Sequence, residues 1–175
     1  VGRVSLYLLD TDVDSNSAAD REIAHRLYGG DRTVRIEQEI ILCIGGVRVL
    51  EALSIRPTAW HINEGHAAFL VLERIRRQMR SGLDFATALD SVASNTVFTT
   101  HTPVPAGHDR FDEDLMRRYF SDASSWISLS WERFLNLGAS AAEPGLFNMT
   151  SLAVHCASFV NGVSREHARV SRGLV

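Results

Sequence analysis

The chain has 175 residues, of which 45% are hydrophobic and 22% are charged, a balance that is typical of one globular domain and argues against a disordered tail. A formal net charge of −3 gives no electrostatic case for nucleic acid or an anionic membrane as a partner. All 18 basic residues are arginine, and a chain without lysine can form neither a Schiff base nor the lysine contact of a phosphate-binding P-loop.

The first two thirds of the chain alternate between predicted strands and helices. Segments rich in aliphatic, β-branched or aromatic residues predict three strands: 3–9, 58–62 and 96–100. A short helix is expected over 21–28, and helical spacing of apolar residues predicts three more: 34–53, 67–80 and one that Asp84 caps. Gly45 and Gly46 lie inside the second of these helices and are interpreted as a site of close packing.

Side-chain positions follow from the same spacings. On the helix over 67–80, Arg74, Arg77 and Arg80 are expected on the solvent face, with Glu73 paired to Arg77 one turn later. The two cysteines, at positions 43 and 156, have apolar neighbours and are predicted to be buried free thiols.

The last third of the chain is predicted to be mostly helical, with a linker at 139–145. Its expected helices are 112–120, 130–137, 149–159 and 164–172. Because strands alternate with helices before this point, the sequence predicts an α/β fold in which helices flank a mainly parallel sheet.

Two predicted strands end in clusters of polar residues, at 60–66 and at 99–111. These clusters contain four of the seven histidines. In open α/β sheets, ligands bind outside the carboxyl ends of the strands. The sequence therefore predicts a binding site where the two clusters meet.

The residue types alone leave other classes of function open. A zinc site would need four histidines to meet in space: His61, His66, His101 and His108. A free-standing metal-dependent or glycoside hydrolase would be built on His61, His66, His101 and Glu64. A glycoside hydrolase would need two facing carboxylates, for which Glu64 and Asp109 are the candidates. A non-catalytic carbohydrate-binding module would stack sugars on its three tryptophans: Trp60, Trp126 and Trp131.

Several motifs, in the correct order, resemble the α-glucan (glycogen or maltodextrin) phosphorylases. Residues 60–69 (WHINEGHAAF) look like a signature segment of that family, and residues 99–108 (TTHTPVPAGH) are similar to the histidine loop of its bacterial branch. The segments FNMT at 147–150 and VNGVS at 160–164 resemble two further landmarks. The residues 35–39 and the pair Asp10-Thr11 fit as well, so that the resemblance covers nearly the whole chain.

The resemblance implies a fold and an activity for the intact protein. Family members have two Rossmann-like lobes in the GT-B arrangement, and this chain would be part of the N-terminal lobe. They are glycosyltransferases that cleave α-1,4-linked glucose from a glucan end with inorganic phosphate, giving α-glucose 1-phosphate with retention. The cofactor, pyridoxal phosphate, is bound to a lysine in the C-terminal lobe.

The resemblance also implies roles for individual residues. His101 matches the histidine whose main-chain carbonyl faces the sugar, and Glu64 is expected to support the histidine loop as a hydrogen-bond acceptor. Asn63, His66 and Thr100 are carried over with His101 as substrate-binding residues. Residues 27–32 are similar in position to a mobile loop that gates the cleft.

By the same comparison the chain is expected to be a fragment that is inactive alone. Residues 1–175 would form a partial N-terminal lobe, with a βαβ core at 1–111 and a mostly helical part at 112–175. The family's glycine-rich loop, cofactor lysine and basic phosphate-binding residues have no counterpart here, and Glu166 departs from the family pattern. The intact enzyme is expected to be a cytoplasmic homo-oligomer whose C-terminal lobe is missing from this chain.

Overall fold

The computed structural model describes residues 2–26, 30–102, 104 and 107–172, without the side chains of residues 123 and 124. Within these ranges five strands form: β1 (Trp60–Asn63), β2 (Thr96–Thr100), β3 (Arg110–Asp112), β4 (Leu146–Asn148) and β5 (Phe159–Gly162). The α-helices of the first part are α1 (Ala18–Arg21), α2 (Arg32–Ile40), α3 (Gly46–Ala52), α4 (Leu70–Arg80) and α5 (Phe85–Ser94). Those of the second part are α6 (Glu113–Phe120), α7 (Ala123–Trp126), α8 (Trp131–Asn136), α9 (Met149–His155) and α10 (Arg165–Ser171).

A parallel three-stranded sheet organises the molecule, in the order β1-β2-β5. The central strand β2 is rich in threonine and valine, which suit a pleated strand packed on both faces. The helices α4 and α5 connect β1 to β2 and pack against each other beside the sheet. The predicted α/β fold with a parallel sheet and flanking helices is confirmed.

The first predicted strand, at 3–9, does not form. Residues 5–13 contain no helix or strand, and Val4, Leu6 and Leu8 are 75%, 65% and 80% exposed. A strand is stable only when a neighbour satisfies its backbone N–H and C=O groups. Apolar composition is therefore not sufficient for a strand at this position. The predicted helix over 21–28 does not form in its described part, because α1 ends at Arg21 and irregular turns follow as far as residue 26; residues 27 and 28 lie outside the described residues.

The predicted helix over 34–53 forms as a nearly continuous rod, but with a π-helical turn, Ile41–Gly45, between α2 and α3. A Cβ built on Gly45 would lie 3.8 Å from Leu9, at ordinary contact distance, and one on Gly46 would meet nothing within 4 Å. Close packing therefore does not explain these two glycines. Cys43 lies in the π-helical turn, is buried, and donates its Sγ–H to the carbonyl of His66.

Arg74 and Glu73 on α4 are both buried, contrary to the expectation for this helix. Arg74 donates to the Thr96 hydroxyl at 2.6 Å and to Asn95. Glu73 is paired with Arg48 and Arg76 rather than with Arg77. The arginine side chain is long enough to cross the edge of the helix and satisfy loop groups at the start of β2, which helical periodicity cannot reveal.

The last third contributes β4 and β5 as well as helices. The predicted helix over 149–159 ends at His155, and Phe159 is 58% exposed on the edge strand β5 instead of completing an apolar helix face. The predicted linker at 139–145 contains no helix or strand, but an ion pair between Glu143 and Arg110 (2.6 Å) attaches it to β3. A shared aromatic cluster lies between the two parts of the chain: Phe69, Phe111, Phe120, Phe134 and Phe147.

Candidate functional site

The tip of β1 carries a residue in an unusual backbone conformation. Glu64 follows β1 directly and has φ 75° and ψ 162°, a region that is almost restricted to glycine. Holding a side chain there costs about 1–3 kcal/mol, and such strain concentrates at functional sites. Glu64 is nevertheless 8% exposed, so that its carboxylate is directed into the protein.

The Glu64 carboxylate connects the tip of β1 to the tip of β2. Its Oε2 accepts the backbone N–H groups of His101 and Thr102, each at 2.9 Å. Its Oε1 accepts the Thr100 hydroxyl at 3.4 Å and the backbone N–H of Gly65 at 3.3 Å. A carboxylate that accepts several N–H groups is held in one orientation, and so is the backbone that donates to it.

Gly65 brings this strand tip against the start of α9. A Cβ on Gly65 would lie 2.9 Å from the Thr150 hydroxyl and 3.1 Å from the Thr150 backbone nitrogen, closer than side chains pack. The same hydroxyl is 2.6 Å from Nδ1 of His108, which is buried. The close approach therefore requires glycine and fixes the β1 tip relative to the second part of the chain.

Residues 101–109 are here named the histidine segment. Its C-terminal end, at Asp109, is held in place as its N-terminal end is. Arg35 on α2 donates to both carboxylate oxygens of Asp109, from Nε at 3.1 Å and from Nη2 at 2.8 Å. The Asp109 carbonyl accepts the backbone N–H of Met149 at 3.0 Å. Burial alone would raise the pKa of Asp109, but hydrogen bonds from Arg35 and Glu39 outweigh it and hold that pKa below its ordinary value.

A cavity of about 760 Å³ lies above these anchored strand tips. Asn63, His66 and His101 line it, together with Arg35 and Asp109. Burial, followed by the positive charge of Arg35, lowers the pKa of His66, which favours a neutral ring at physiological pH. Three more charged side chains line it, those of Asp31, Arg32 and Glu64. The cavity thus combines hydrogen-bonding groups with charges of both signs, a set of groups suited to a polar ligand.

The structure separates the four histidines that a metal site would need. His61 Nε2 is 2.8 Å from the Thr99 hydroxyl, and His108 is paired with Thr150, whereas His66 and His101 face the cavity. Within the described ranges, no group of three or more histidine, cysteine, aspartate or glutamate residues is arranged to hold a metal ion.

The two candidate carboxylates of a glycoside hydrolase are both engaged in internal contacts. Glu64 accepts backbone N–H groups, and Asp109 is paired with Arg35. The tryptophans of the binding-module hypothesis are half-buried beneath arginines: Arg74 over Trp60 at 4.7 Å, Arg76 over Trp126 at 5.9 Å and Arg117 over Trp131 at 4.6 Å. Neither arrangement supports these alternatives.

Comparison with known proteins identifies close relatives of the whole segment. Glycogen phosphorylase of Mycobacterium tuberculosis is 47% identical over 186 aligned residues, covering 99% of this chain and 21% of that protein. Maltodextrin phosphorylase of Thermococcus litoralis is 48% identical over 98% of this chain and 20% of its own length. The resemblance to the α-glucan phosphorylases is confirmed.

A glycogen phosphorylase of Aquifex aeolicus is 35% identical over 98% of this chain and 25% of that protein. The chain therefore spans about a fifth to a quarter of the curated phosphorylases it matches. No family model matches it. Among the residues that the structure describes, no helix is both long and apolar enough to cross a membrane.

Of the site residues that the phosphorylase resemblance implies, most line the cavity and one lies behind it. Glu64, His101, Asn63 and His66 meet at the cavity, whereas Thr100 is buried behind it with its hydroxyl on Glu64. Of the expected gating loop at 27–32, residues 30–32 line the cavity and residues 27–29 lie outside the described residues.

Sequence reasoning did not assign a role to the contact between Arg35 and Asp109, nor to Glu39. Two sequence signals were available: the family resemblance of residues 35–39, and the four-residue spacing of Arg35 and Glu39, which places both on one helix face. The partner on the histidine segment, 74 residues away, had no local signal.

Proposed function

We propose that this chain is one segment of an α-glucan phosphorylase and forms one wall of the crevice that holds the glucose unit to be transferred. The intact enzyme would cleave terminal α-1,4-glucose from glycogen or maltodextrin with inorganic phosphate, giving α-glucose 1-phosphate with retention. The observation that carries this proposal is the pair of hydrogen bonds from the backbone of His101 and Thr102 to Glu64.

Those bonds have a direct consequence for the His101 carbonyl. The N–H of Thr102 and the C=O of His101 belong to one planar, trans peptide group. In such a group the covalent N–H and C=O bonds point in opposite directions. With the N–H fixed on Glu64 Oε2, the carbonyl is directed away from the buried carboxylate. In the proposed site this carbonyl faces the sugar.

The same bond also makes the carbonyl a better electrostatic group. A negative carboxylate on the N–H polarises the peptide and increases the negative partial charge on its oxygen. An oxygen oriented in advance stabilises the positive charge that develops at the anomeric carbon of an oxocarbenium-like transition state. Glu64 is therefore a positioning residue, and the His101 main chain makes the substrate contact.

The other assigned residues complete this wall of the crevice. Asn63 and His66 offer neutral hydrogen-bonding groups for sugar hydroxyls, and both line the cavity. Thr100 contributes through its hydroxyl on Glu64 rather than through direct substrate contact. Residues 30–32 would close over the bound sugar as part of the gating loop.

The proposal also assigns what this chain does not supply. Without lysine it cannot form the Schiff base that holds pyridoxal phosphate, so the cofactor of the intact enzyme is held outside these 175 residues. The opposite wall would come from the C-terminal lobe of a GT-B fold, with residues 1–111 and 112–175 together forming part of the N-terminal lobe. A cytoplasmic, homo-oligomeric intact enzyme completes the proposal.

Exchanging segments with a relative tests this function. The 175-residue chain replaces the corresponding fifth of the M. tuberculosis glycogen phosphorylase, and the chimera is assayed for glucose 1-phosphate from maltodextrin and phosphate. We expect turnover by the chimera and none by the chain alone, even with pyridoxal phosphate added. In the chimera, Glu64→Ala should lower kcat by about 10²–10³, the usual cost of losing one preorganised electrostatic contact.

Glu166→Gln is the matched control, because Glu166 is exposed on α10 and pairs only with its neighbour Arg169 among the described residues. It should leave the chimera's turnover unchanged. Sustained phosphorolysis by the isolated chain, or glucan hydrolysis that needs no phosphate, would contradict the proposal.

A further inference from the structure

A buried carboxyl group lies beneath the candidate site and has no role in the function proposed above. Glu39 is on α2, one turn after Arg35, and only 2% of it is exposed. Its Oε1 is 3.1 Å from Arg35 Nε, and its side chain meets that of Asp109. The charged and titratable groups around it are Arg35 on its own helix, Cys43 in the π-helical turn, Asp109 at the end of the histidine segment and His66 after β1.

The hydrogen bonds of this cluster leave one donor missing. The single N–H on Arg35 Nε points to Asp109 Oδ1, and Arg35 Nη2 donates to Asp109 Oδ2. Across the described residues, neither Glu39 oxygen receives a hydrogen bond, although both are fully buried. Two ionised carboxylates could only accept, so neither could donate to the other.

A proton on Glu39 would supply the missing hydrogen-bond donor and would remove one buried negative charge. It turns the Glu39 carboxyl into a donor toward Asp109, which satisfies a buried oxygen that would otherwise carry a large desolvation cost. It also leaves one negative charge, on Asp109, to balance the one positive charge of Arg35. If Glu39 were ionised as well, two buried negative charges would share this one positive charge, which would be strongly unfavourable.

We propose that Glu39 is a positioning residue that stays protonated at neutral pH and donates a hydrogen bond to Asp109, holding the end of the histidine segment against α2. The importance of this hydrogen bond for the crevice rests on the proposed function, because the histidine segment that it holds begins with His101. Burial, together with the neighbouring negative charge of Asp109, raises the pKa of Glu39 to about 10, in agreement with the geometry.

Infrared spectroscopy of the 175-residue chain, with glutamate side chains labelled with ¹³C, tests the protonation state directly. Folded wild-type chain at pH 7 should show the C=O stretch of one protonated carboxylic acid, and Glu39→Gln should abolish it. Glu166→Gln, which removes an exposed carboxylate whose pKa is held low by Arg169, should leave the band intact. Absence of the band from the folded wild-type chain, or its survival in Glu39→Gln, would overturn the proposal.

A second measurement separates positioning from simple packing. The pKa of Asp109 is read from its ¹³Cγ shift in wild type, Glu39→Gln and Glu39→Met. Gln keeps a neutral donor and should leave that pKa near the wild-type value, whereas Met has no donor and should raise it. Equal values in the Gln and Met variants would contradict the proposed hydrogen bond. If Glu39→Met does not fold, the infrared comparison decides, since it needs only wild type and Glu39→Gln.

Neither measurement uses glucan or phosphate. The inference can therefore fail while the chimera is active, and it can hold while the chimera is inactive, so the two failures are distinguishable.

Discussion

The backbone N–H of Thr102 lies 2.9 Å from Oε2 of Glu64 and donates to it, joining the tips of two neighbouring parallel strands. Glu64 makes this contact from a backbone conformation that costs about 1–3 kcal/mol. Each hydrogen bond to a charged group is worth about 1.5–3 kcal/mol, and Glu64 accepts two short ones from the backbone of residues 101 and 102. The strain is thus offset by the contacts that it makes possible.

The backbone conformation at position 64 predicts an unusual order of stability among variants. Glu64→Ala and Glu64→Gly both remove the carboxylate, but only glycine adopts φ 75° without steric cost. We expect Glu64→Gly to be more stable than Glu64→Ala by about 1–2 kcal/mol, measured by urea unfolding of the chain. At Ala88, buried within the helix α5, the preference should reverse, with Ala88→Gly costing about 1 kcal/mol. Glu64→Ala matching or exceeding Glu64→Gly would show that the strain is absent.

The contact between Gly65 and Thr150 predicts a steric effect at the neighbouring position. Gly65→Ala places a Cβ 3.1 Å from a backbone nitrogen and should destabilise the chain by about 1–3 kcal/mol. Gly46→Ala is the matched control, because that position is helical and open, and it should stabilise the chain by up to about 1 kcal/mol. Thermal unfolding followed by circular dichroism measures both changes, and a neutral Gly65→Ala would refute the close approach.

The pairing of Asp109 with Arg35 predicts sensitivity to acid. Because the folded-state pKa of Asp109 lies below its ordinary value of 3.8, its contribution is present above pH 3.8 and is lost as the pH falls through the folded-state pKa. The unfolding free energy of wild type should therefore fall more steeply with acid than that of Asp109→Asn, by at most about 1.4 kcal/mol per pH unit.

Asp90→Asn is the control for this comparison, since Asp90 is exposed on α5. It should keep the wild-type slope in the same acid titration followed by urea unfolding. Parallel curves for wild type and Asp109→Asn would mean that the Arg35 contact contributes nothing to stability.

The two cysteines should be unreactive in the native chain. Burial raises the pKa of Cys43 above that of an ordinary thiol and raises the pKa of Cys156 to about 12. Because only the thiolate reacts, we expect a thiol reagent such as dithionitrobenzoate to label them at least ~100-fold more slowly in buffer than in denaturant. Ser94→Cys, at an exposed position, should add one fast-reacting thiol. Rapid labelling of either native cysteine in the wild-type chain would contradict its burial.

The sequence by itself determined the helices and strands whose formation depends on residues within or next to the element. The strand over residues 96–100 has the predicted bounds, since β-branched residues favour it at every step. Asp84 caps α5 as expected, accepting the N–H of Thr87. The alternation of these elements also predicted that Glu64 and His101 would meet, because parallel neighbours end at the same edge of a sheet.

Tertiary structure alone decided what depends on a distant partner. Apolar composition at 3–9 could not supply the neighbouring strand that its backbone would need, and helical periodicity could not reveal that Arg74 reaches Thr96. The pairing of Arg35 with Asp109, and with it the environment of Glu39, joins residues 74 positions apart. Backbone propensities act over a few residues, whereas desolvation and ion pairing depend on which side chains the folded chain brings together, and only the folded arrangement fixes that choice.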